Sequence, residues 1–171
     1  MEVNFKQKLH KVSCFILDVD GVLTDGSLIL FAGGDQIRTM NIRDGYAIQL
    51  AVKEGYKVAV ISGGKSESVK TRLQGLGVQD VYLGIDNKIE KIDELISKYS
   101  LKTENILYMG DDLPDYEAMK KCGVAACPAD AAHEIKEISS YISNKKGGDG
   151  FVRDVFEQVM RLHGKWFKIN A

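Results

Sequence analysis

Proline is scarce in this chain, two residues in 171, and no serine-rich or low-complexity stretch takes its place. Without such a linker, and with no internal repeat, nothing marks a division between domains. An excess of one charge is lacking too: 23 basic against 24 acidic residues leave a net charge of −1, which excludes the basic footprint of a nucleic-acid-binding surface. Cysteine is sparse and odd in number. Cys14, Cys122 and Cys127 have no metal-type spacing, which argues for reduced thiols in a cytoplasmic protein and against a disulfide framework. No apolar run is long enough to span a bilayer, and the segment from Met1 to Lys6 lacks the apolar stretch of a signal peptide. What is present is 44% apolar residues, enough for a real core, so the expectation is one soluble domain over residues 1–171.

The stretch Cys14-Phe15-Ile16-Leu17-Asp18-Val19-Asp20-Gly21 organises the rest. Its apolar run reads as a strand buried on both faces, as in a parallel sheet, and it stops at two carboxylates one residue apart. The carboxyl end of such a strand is where open α/β sheets hold their ligands. Two aspartates crowded there repel each other and lose hydration unless a cation or donors compensate. Asp and Gly are also ordinary turn residues, so from this stretch alone a turn-capping role for Asp18 and Asp20 stays open.

In chain order, residues 2–10 read as a short amphipathic helix and residues 12–17 as the first strand. Residues 27–31 and 36–40 flank a Gly33-Gly34 turn and read as a hairpin insertion, about residues 26–41. Its first arm, Leu28-Ile29-Leu30-Phe31, is apolar on both faces, which a lone ribbon cannot bury, so it is expected to pack on another subunit. Helices follow at residues 43–54, 66–74, 87–99, 115–121 and 131–137. They alternate with strands at 57–61, 81–83, 106–109, 124–126 and 141–142. A loop over residues 145–150 leads to a last helix with Val152, Phe156, Val159 and Leu162 on one face. Removing the chain from Gly147 onward is expected to spare the core. The alternation implies a doubly wound, Rossmann-like α/β fold with a parallel sheet.

Asp18 and Asp20, Ser62, and Asp111 and Asp112 each follow a core strand, and Lys88 opens a neighbouring helix, so all converge on the carboxyl edge of the sheet. A strand-end carboxylate beside a divalent cation can attack a phosphate ester, the cation offsetting the repulsion between two anions. Mg²⁺ suits such a site because it takes oxygen ligands from one or two carboxylates plus a phosphate oxygen. Asp18 and Asp111 can supply the carboxylates and the Asp20 carbonyl another oxygen, leaving the Asp20 side chain for proton transfer. Ser62 with the amides of Gly63 and Gly64 can bind phosphate oxygens, and Lys88 can neutralise them. Taken singly, a turn role for Ser62 and a solvated role for Lys88 stay open.

The residues Asp18-Val19-Asp20-Gly21-Val22, Ser62, Lys88 and Gly110-Asp111-Asp112-Leu113-Pro114-Asp115 resemble the four ordered motifs of the haloacid dehalogenase superfamily. The resemblance implies Asp18 as nucleophile, Asp20 as general acid and base, and Mg²⁺ held by Asp18, the Asp20 carbonyl and Asp111. Asp112 and Asp115 become supporting carboxylates, a helix-start role for Asp115 staying open. A closer resemblance, to the capless 3-deoxy-D-manno-octulosonate 8-phosphate phosphatase family, rests on several stretches. These are residues 18–26 with the hairpin, Asn41-Ile42-Arg43-Asp44-Gly45, Gly63-Gly64-Lys65, Arg72, Asn87-Lys88 and the glycines of residues 147–150. It implies hydrolysis of that sugar-acid phosphate for lipopolysaccharide precursor synthesis. It also implies a homotetramer with hairpins at its centre, and a C-terminal tail (about residues 145–171) reaching a neighbour's site. Residues Asn41, Ile42, Arg43, Asp44, Gly45, Arg72 and Lys88 would line the substrate site, and Arg43 and Arg72 suit a sugar-acid carboxylate because guanidinium pairs bidentately.

Three positions depart from the family: Gln49, Gly64 and Asp149 stand where several members carry arginine, and Lys145, Lys146 or Arg153 can compensate. The departures leave open a nine-carbon sugar acid 9-phosphate as substrate. Two other classes use similar residues, a non-catalytic oligomerisation module and a phospho-accepting receiver domain. The first is disfavoured because Asp18, Asp20 and Asp111 are all retained, the second by the Asp20-Gly21-Val22 turn and the hairpin.

Overall fold

The buried strands foreseen at residues 12–17, 57–61 and 106–109 lie side by side at the centre of one sheet. The computed structural model describes residues 5–167. The chain opens with α1 (Phe5–Leu9), and residues 2–4 of the expected first helix lie outside the described residues. The sheet is built from β1 (Cys14–Leu17), β4 (Lys57–Ser62), β5 (Asp80–Leu83), β6 (Ile106–Met109), β7 (Val124–Cys127) and β8 (Tyr141–Ile142). Their order is β5-β4-β1-β6-β7-β8, with every pairing parallel.

Both faces of the central strands are covered, which is why their sequences are unbroken apolar runs and not alternating ones. Phe15 and Leu17 of β1, Val58 and Val60 of β4, and Leu107 and Met109 of β6 point into one core. Cys14, Ile16, Ala59, Ile61, Ile106 and Tyr108 point into the other. The helices divide accordingly. α2 (Ile42–Lys53), α3 (Glu67–Gly75) and α7 (Phe151–Leu162) bury side chains in the first core. α4 (Lys88–Tyr99), α5 (Tyr116–Lys121) and α6 (His133–Ile138) bury theirs in the second. This is the doubly wound arrangement. Only α3, β5 and short connections lie between Ser62 and Lys88, so no cap domain is inserted there. No described helix is long and apolar enough to cross a membrane.

The hairpin is shorter than its sequence suggests: β2 (Ile29–Leu30) and β3 (Gln36–Ile37) pair through two residues each. Leu28, Ile29, Leu30, Phe31 and Ile37 are all exposed, so nothing among the described residues covers the apolar arm and little holds a longer ribbon together.

The C-terminal stretch behaves unlike the expected separable tail. α7 buries Phe151, Val152, Val155, Phe156, Val159 and Met160, and the Phe156 ring stacks on Phe15 of β1 at 4.0 Å between centroids. Each such side chain contributes about 1.5–3 kcal/mol, so losing α7 would remove much of the ~5–15 kcal/mol net stability usual for a folded protein. The glycines before α7 are also held by their own chain. Gly148 N–H donates to the Val22 carbonyl at 3.1 Å, and Gly147 N–H to Asp130 Oδ1 at 3.0 Å. A Cβ on Gly147 would collide with the Gly21 carbonyl, so the close seating requires glycine. Gly147 and Gly148 therefore brace the Asp18 loop of this chain, and α7 packs on its core. The part of the expected tail after residue 167 lies outside the described residues.

Candidate active site

β1 and β6 are neighbours whose following helices, α2 and α5, lie on opposite faces of the sheet. That divergence opens a crevice at their carboxyl ends, and Asp18 and Asp111 stand on its two sides. The Asp18 loop is fixed by its backbone. Asp18 N–H donates to the Met109 carbonyl at 3.0 Å, and the buried Thr24 hydroxyl accepts from Gly21 N–H at 3.3 Å and Gly26 N–H at 3.1 Å. Gly21 has φ +82°, and a Cβ there would overlap the Asp111 carboxylate, so glycine is needed both for the turn and for the close approach of the two loops.

Lys88, buried at the start of α4, sits between two carboxylates, 3.1 Å from Asp18 Oδ2 and 2.7 Å from Asp115 Oδ1. Asp115 also accepts the Tyr108 hydroxyl at 2.8 Å and the Asp111 amide at 3.1 Å. Burial works against the Lys88 charge, but Asp115 and Asp18 outweigh it and hold the ammonium above its ordinary value. One cation does not satisfy three carboxylates. Burial, then Asp115, push Asp18 up to about 6 against the pull of Lys88 and the Val19 amide. Burial, then Asp115, Asp18 and Asp112, push Asp111 up to about 8.

Asp18, Asp111 and Asp115 each bring a carboxylate oxygen within 4.8 Å of the others. Asp115 is already engaged by Lys88, Tyr108 and the Asp111 amide, whereas among the described residues no donor bonds the Asp111 carboxylate. The donor set thus fits a divalent cation on Asp18 and Asp111, all hard oxygen, with Asp115 as the carboxylate behind them.

Around this cluster is a cavity of about 450 Å³, lined by Asp18, Asp20, Ser62, Gly63, Gly64, Lys88, Asp111 and Asp112, among others. Six of the sequence-predicted residues therefore meet: Asp18, Asp20, Ser62, Gly63, Lys88 and Asp111. Ser62 is buried, and its hydroxyl accepts from Gly64 N–H at 3.3 Å. Asp112 lies at the rim, where its side chain accepts from Leu113 N–H at 2.8 Å and caps a short 3-10 turn. The Asp20 carboxylate carries a partner that sequence reasoning missed. Arg38, just after β3, donates from Nε to Oδ1 at 2.6 Å and from Nη2 to Oδ2 at 3.1 Å. Its Nη1 is buried without a hydrogen-bond partner among the described residues.

The remaining predicted residues lie elsewhere in the single chain. Asn41 and Arg43 line a second cavity of about 500 Å³ with Lys145, Asp149, Arg153 and Glu157. Asn41 caps α2 by accepting from Arg43 N–H at 2.8 Å, and Ile42 is 79% exposed. Arg72 is exposed on α3, with Nη2 at 2.8 Å from where a Cβ on Gly45 would stand, so Gly45 makes room for it. Asp44 points inward. It is buried, and Oδ1 accepts Arg153 N–H at 2.8 Å at the start of α7, whose N-cap position is Gly150 and offers no side chain. Burial raises the Asp44 pKa against the amides of Arg153 and Gly150. Its geometry is that of a helix cap reaching across the core. Of the residues sequence reasoning missed, Tyr108 and Thr24 had no local signal beyond a polar atom in an apolar stretch.

Residues 84–154 match the family model described as haloacid dehalogenase-like hydrolase. The 3-deoxy-D-manno-octulosonate 8-phosphate phosphatase of Escherichia coli (strain K12) is 36% identical over 158 residues, 92% of this chain and 84% of that protein. The solved structure of the Yersinia pestis phosphatase of the same name superposes with a TM-score of 0.92 at 30% identity, covering 94% of this chain and 87% of that one. That of the Moraxella catarrhalis enzyme, in complex with a magnesium ion, a phosphate ion and a KDO molecule, has a TM-score of 0.89 at 31% identity, covering 92% and 91%.

Proposed function

The chain belongs to the 3-deoxy-D-manno-octulosonate 8-phosphate phosphatase family of haloacid dehalogenase-like hydrolases and is a phosphoric monoester hydrolase; on that premise we propose that it hydrolyses 3-deoxy-D-manno-octulosonate 8-phosphate to the free sugar acid and phosphate through an aspartyl-phosphate on Asp18. The observation that carries this reading is the Asp18 carboxylate itself. It is fixed by the Val19 amide at 2.7 Å and Lys88 at 3.1 Å, and it faces the same cavity as Asp20, Ser62 and Asp111. The relatives named above carry the eight-carbon name, and the nine-carbon reading is not favoured.

The residues divide the work as follows. Asp18 attacks phosphorus while Asp20 gives a proton to the departing sugar oxygen. Asp20 then takes a proton from the water that cleaves the acyl phosphate. Ser62 and the Gly63 amide hold phosphate oxygens. Lys88 neutralises the phosphate and, pinned between Asp18 and Asp115, keeps the nucleophile aimed. The Asp18 and Asp111 carboxylates, with the Asp20 carbonyl, would hold Mg²⁺, which would supply the positive charge that offsets the repulsion between an anionic ester and an anionic carboxylate.

Sugar recognition belongs to the second group of residues. Arg43 and Arg72 hold the sugar-acid carboxylate, with Asn41, Ile42 and Gly45 shaping the approach, and Asp44 supports them through α7. None of them is among the residues that line the Asp18 cavity of a single chain, and the C-terminal tail of a neighbouring subunit reaches that site in the assembly. The assembly is a homotetramer of cytoplasmic phosphatase domains, each residues 1–171, with the exposed apolar hairpins at the centre. This placement is supported by the uncovered Leu28, Ile29, Leu30 and Phe31.

The test is rapid-quench turnover of the sugar ester labelled with radioactive phosphorus, with Mg²⁺. Wild-type protein is expected to show a transient label that maps to Asp18, and Asp18→Asn no label and turnover down by about 10³-fold or more. Hydrolysis by Asp18→Asn at the wild-type rate would remove Asp18 as nucleophile.

A further inference from the structure

On the reading that Asp20 transfers the protons, we propose that Arg38 is a positioning residue: its guanidinium fork holds the Asp20 carboxylate in the orientation from which it serves the cavity, and so joins the hairpin to the reaction. Both carboxylate oxygens are engaged, Oδ1 by Nε at 2.6 Å and Oδ2 by Nη2 at 3.1 Å. A two-point contact of this kind fixes the plane of the carboxylate, which a single ammonium contact does not.

The burial of the pair is one-sided. The Arg38 side chain is 4% exposed and Asp20 36%, and Asp20 lines the cavity while Arg38 stands behind it. An ordinary surface ion pair leaves the long cation in water; here the cation is the inner partner. The third donor, Nη1, is buried with no partner among the described residues. The guanidinium therefore sits where Asp20 needs it and not where its own hydrogen bonds are best satisfied, a sign of a constraint other than stability. Gly64 keeps the space beside the pair. A Cβ there would come 3.0 Å from Asp20 Oδ2 and 3.1 Å from Arg38 Nη2, tight enough to press on both. Arg38 directly follows β3, so whatever the hairpin packs against is transmitted to Asp20 through this side chain.

The consequence is kinetic. An Asp20 carboxylate that rotates freely spends less time aimed at the departing oxygen or at the attacking water, which lowers kcat and leaves binding of the ester alone.

The experiment measures Arg38→Met and Arg38→Lys, each in the wild-type and Asp20→Asn backgrounds, on 3-deoxy-D-manno-octulosonate 8-phosphate. The pre-steady-state burst on p-nitrophenyl phosphate, whose leaving group departs without a proton, is read alongside. Arg38→Met is expected to lower kcat on the sugar ester about 10-fold or more with KM within about twofold, and Arg38→Lys to recover part of the loss. In the Asp20→Asn background, Arg38→Met should change kcat by less than about twofold, because nothing remains to be oriented. The burst rate on p-nitrophenyl phosphate should stay near that of the wild type.

An unchanged kcat in Arg38→Met, or the same fractional loss in both backgrounds with a lowered melting temperature, would overturn the proposal in favour of a structural ion pair. A wild type that does not turn over the sugar ester overturns both this proposal and the reading it rests on. Turnover with an indifferent Arg38→Met overturns only the role of Arg38.

Discussion

The cavity at the ends of β1 and β6 gathers its charged groups within one chain, whereas the surface formed by Asn41, Arg43, Arg72 and the hairpin is, on the proposed reading, completed by a neighbour. The first is built on strand ends whose backbones are hydrogen-bonded on both sides, and Lys88 and Arg38 reach its Asp18 and Asp20 carboxylates from other elements. The second is built on a helix start, a helix surface and a two-residue ribbon, and its large apolar side chains face outward. Chemistry that needs positions fixed to fractions of an ångström sits on the sheet. The proposed recognition, which needs shape and a closing partner, falls to elements that one chain leaves uncovered.

This contrast predicts a division of kinetic effects. Asp20→Asn, in the Asp18 cavity, should lower kcat by about 10²- to 10⁴-fold with KM little changed, measured by steady-state turnover. Arg43→Ala, on the second surface, should instead raise KM by about 10- to 100-fold, the worth of a hydrogen-bonded charge pair, with a smaller effect on kcat. If both changes act on kcat alone, the two regions are one. The double variant Leu30→Asp, Phe31→Asp should dissolve the assembly in sedimentation and raise KM by a smaller factor while leaving the fold intact. A monomeric variant with wild-type KM would place the whole substrate site within one chain.

The smallest effect concerns stability. Asp18 at about 6 and Asp111 at about 8 are raised above the unfolded value of about 3.9, so the folded chain binds more protons than the unfolded one over this range. Metal-free protein should therefore lose stability as pH rises from about 4 to 8, and Mg²⁺ should restore it. The expected gain in melting temperature with Mg²⁺ is on the order of a few degrees at pH 8.5 and near zero at pH 5. A gain independent of pH would break the link to these carboxylates.

The Asp18 cavity was also the legible one. Asp18 and Asp111 end buried apolar runs, and a charge at the end of such a run is visible in a window of a few residues. Lys88 follows Asn87, whose side chain caps α4, so its place was readable from helix-start chemistry. The second surface was legible only in part. The exposed apolar arm could be read from its lack of alternation, but the length of the hairpin could not, because cross-strand pairing depends on what covers it. Asp44 shows the limit most clearly. In sequence it belongs to a run that resembles a substrate-binding motif, yet its carboxylate caps a helix 109 residues further along, a contact no local pattern encodes. The same holds for Arg38, whose partner is 18 residues away across a turn. It also holds for α7, which reads as a terminal helix and turns out to pack Phe156 on the central strand.

The central claim is that three crowded carboxylates, with Lys88 the one cation among them in the described residues, are shaped to receive a divalent cation. Calorimetric titration of Mg²⁺ into the purified protein, repeated in buffers of different ionisation enthalpy, tests it most directly. The account predicts release of roughly one proton on binding at pH 7, little release at pH 9, and affinity that falls steadily below pH 8 as Asp111 and then Asp18 hold their protons. Binding of equal strength from pH 6 to pH 9 with no proton released would contradict it.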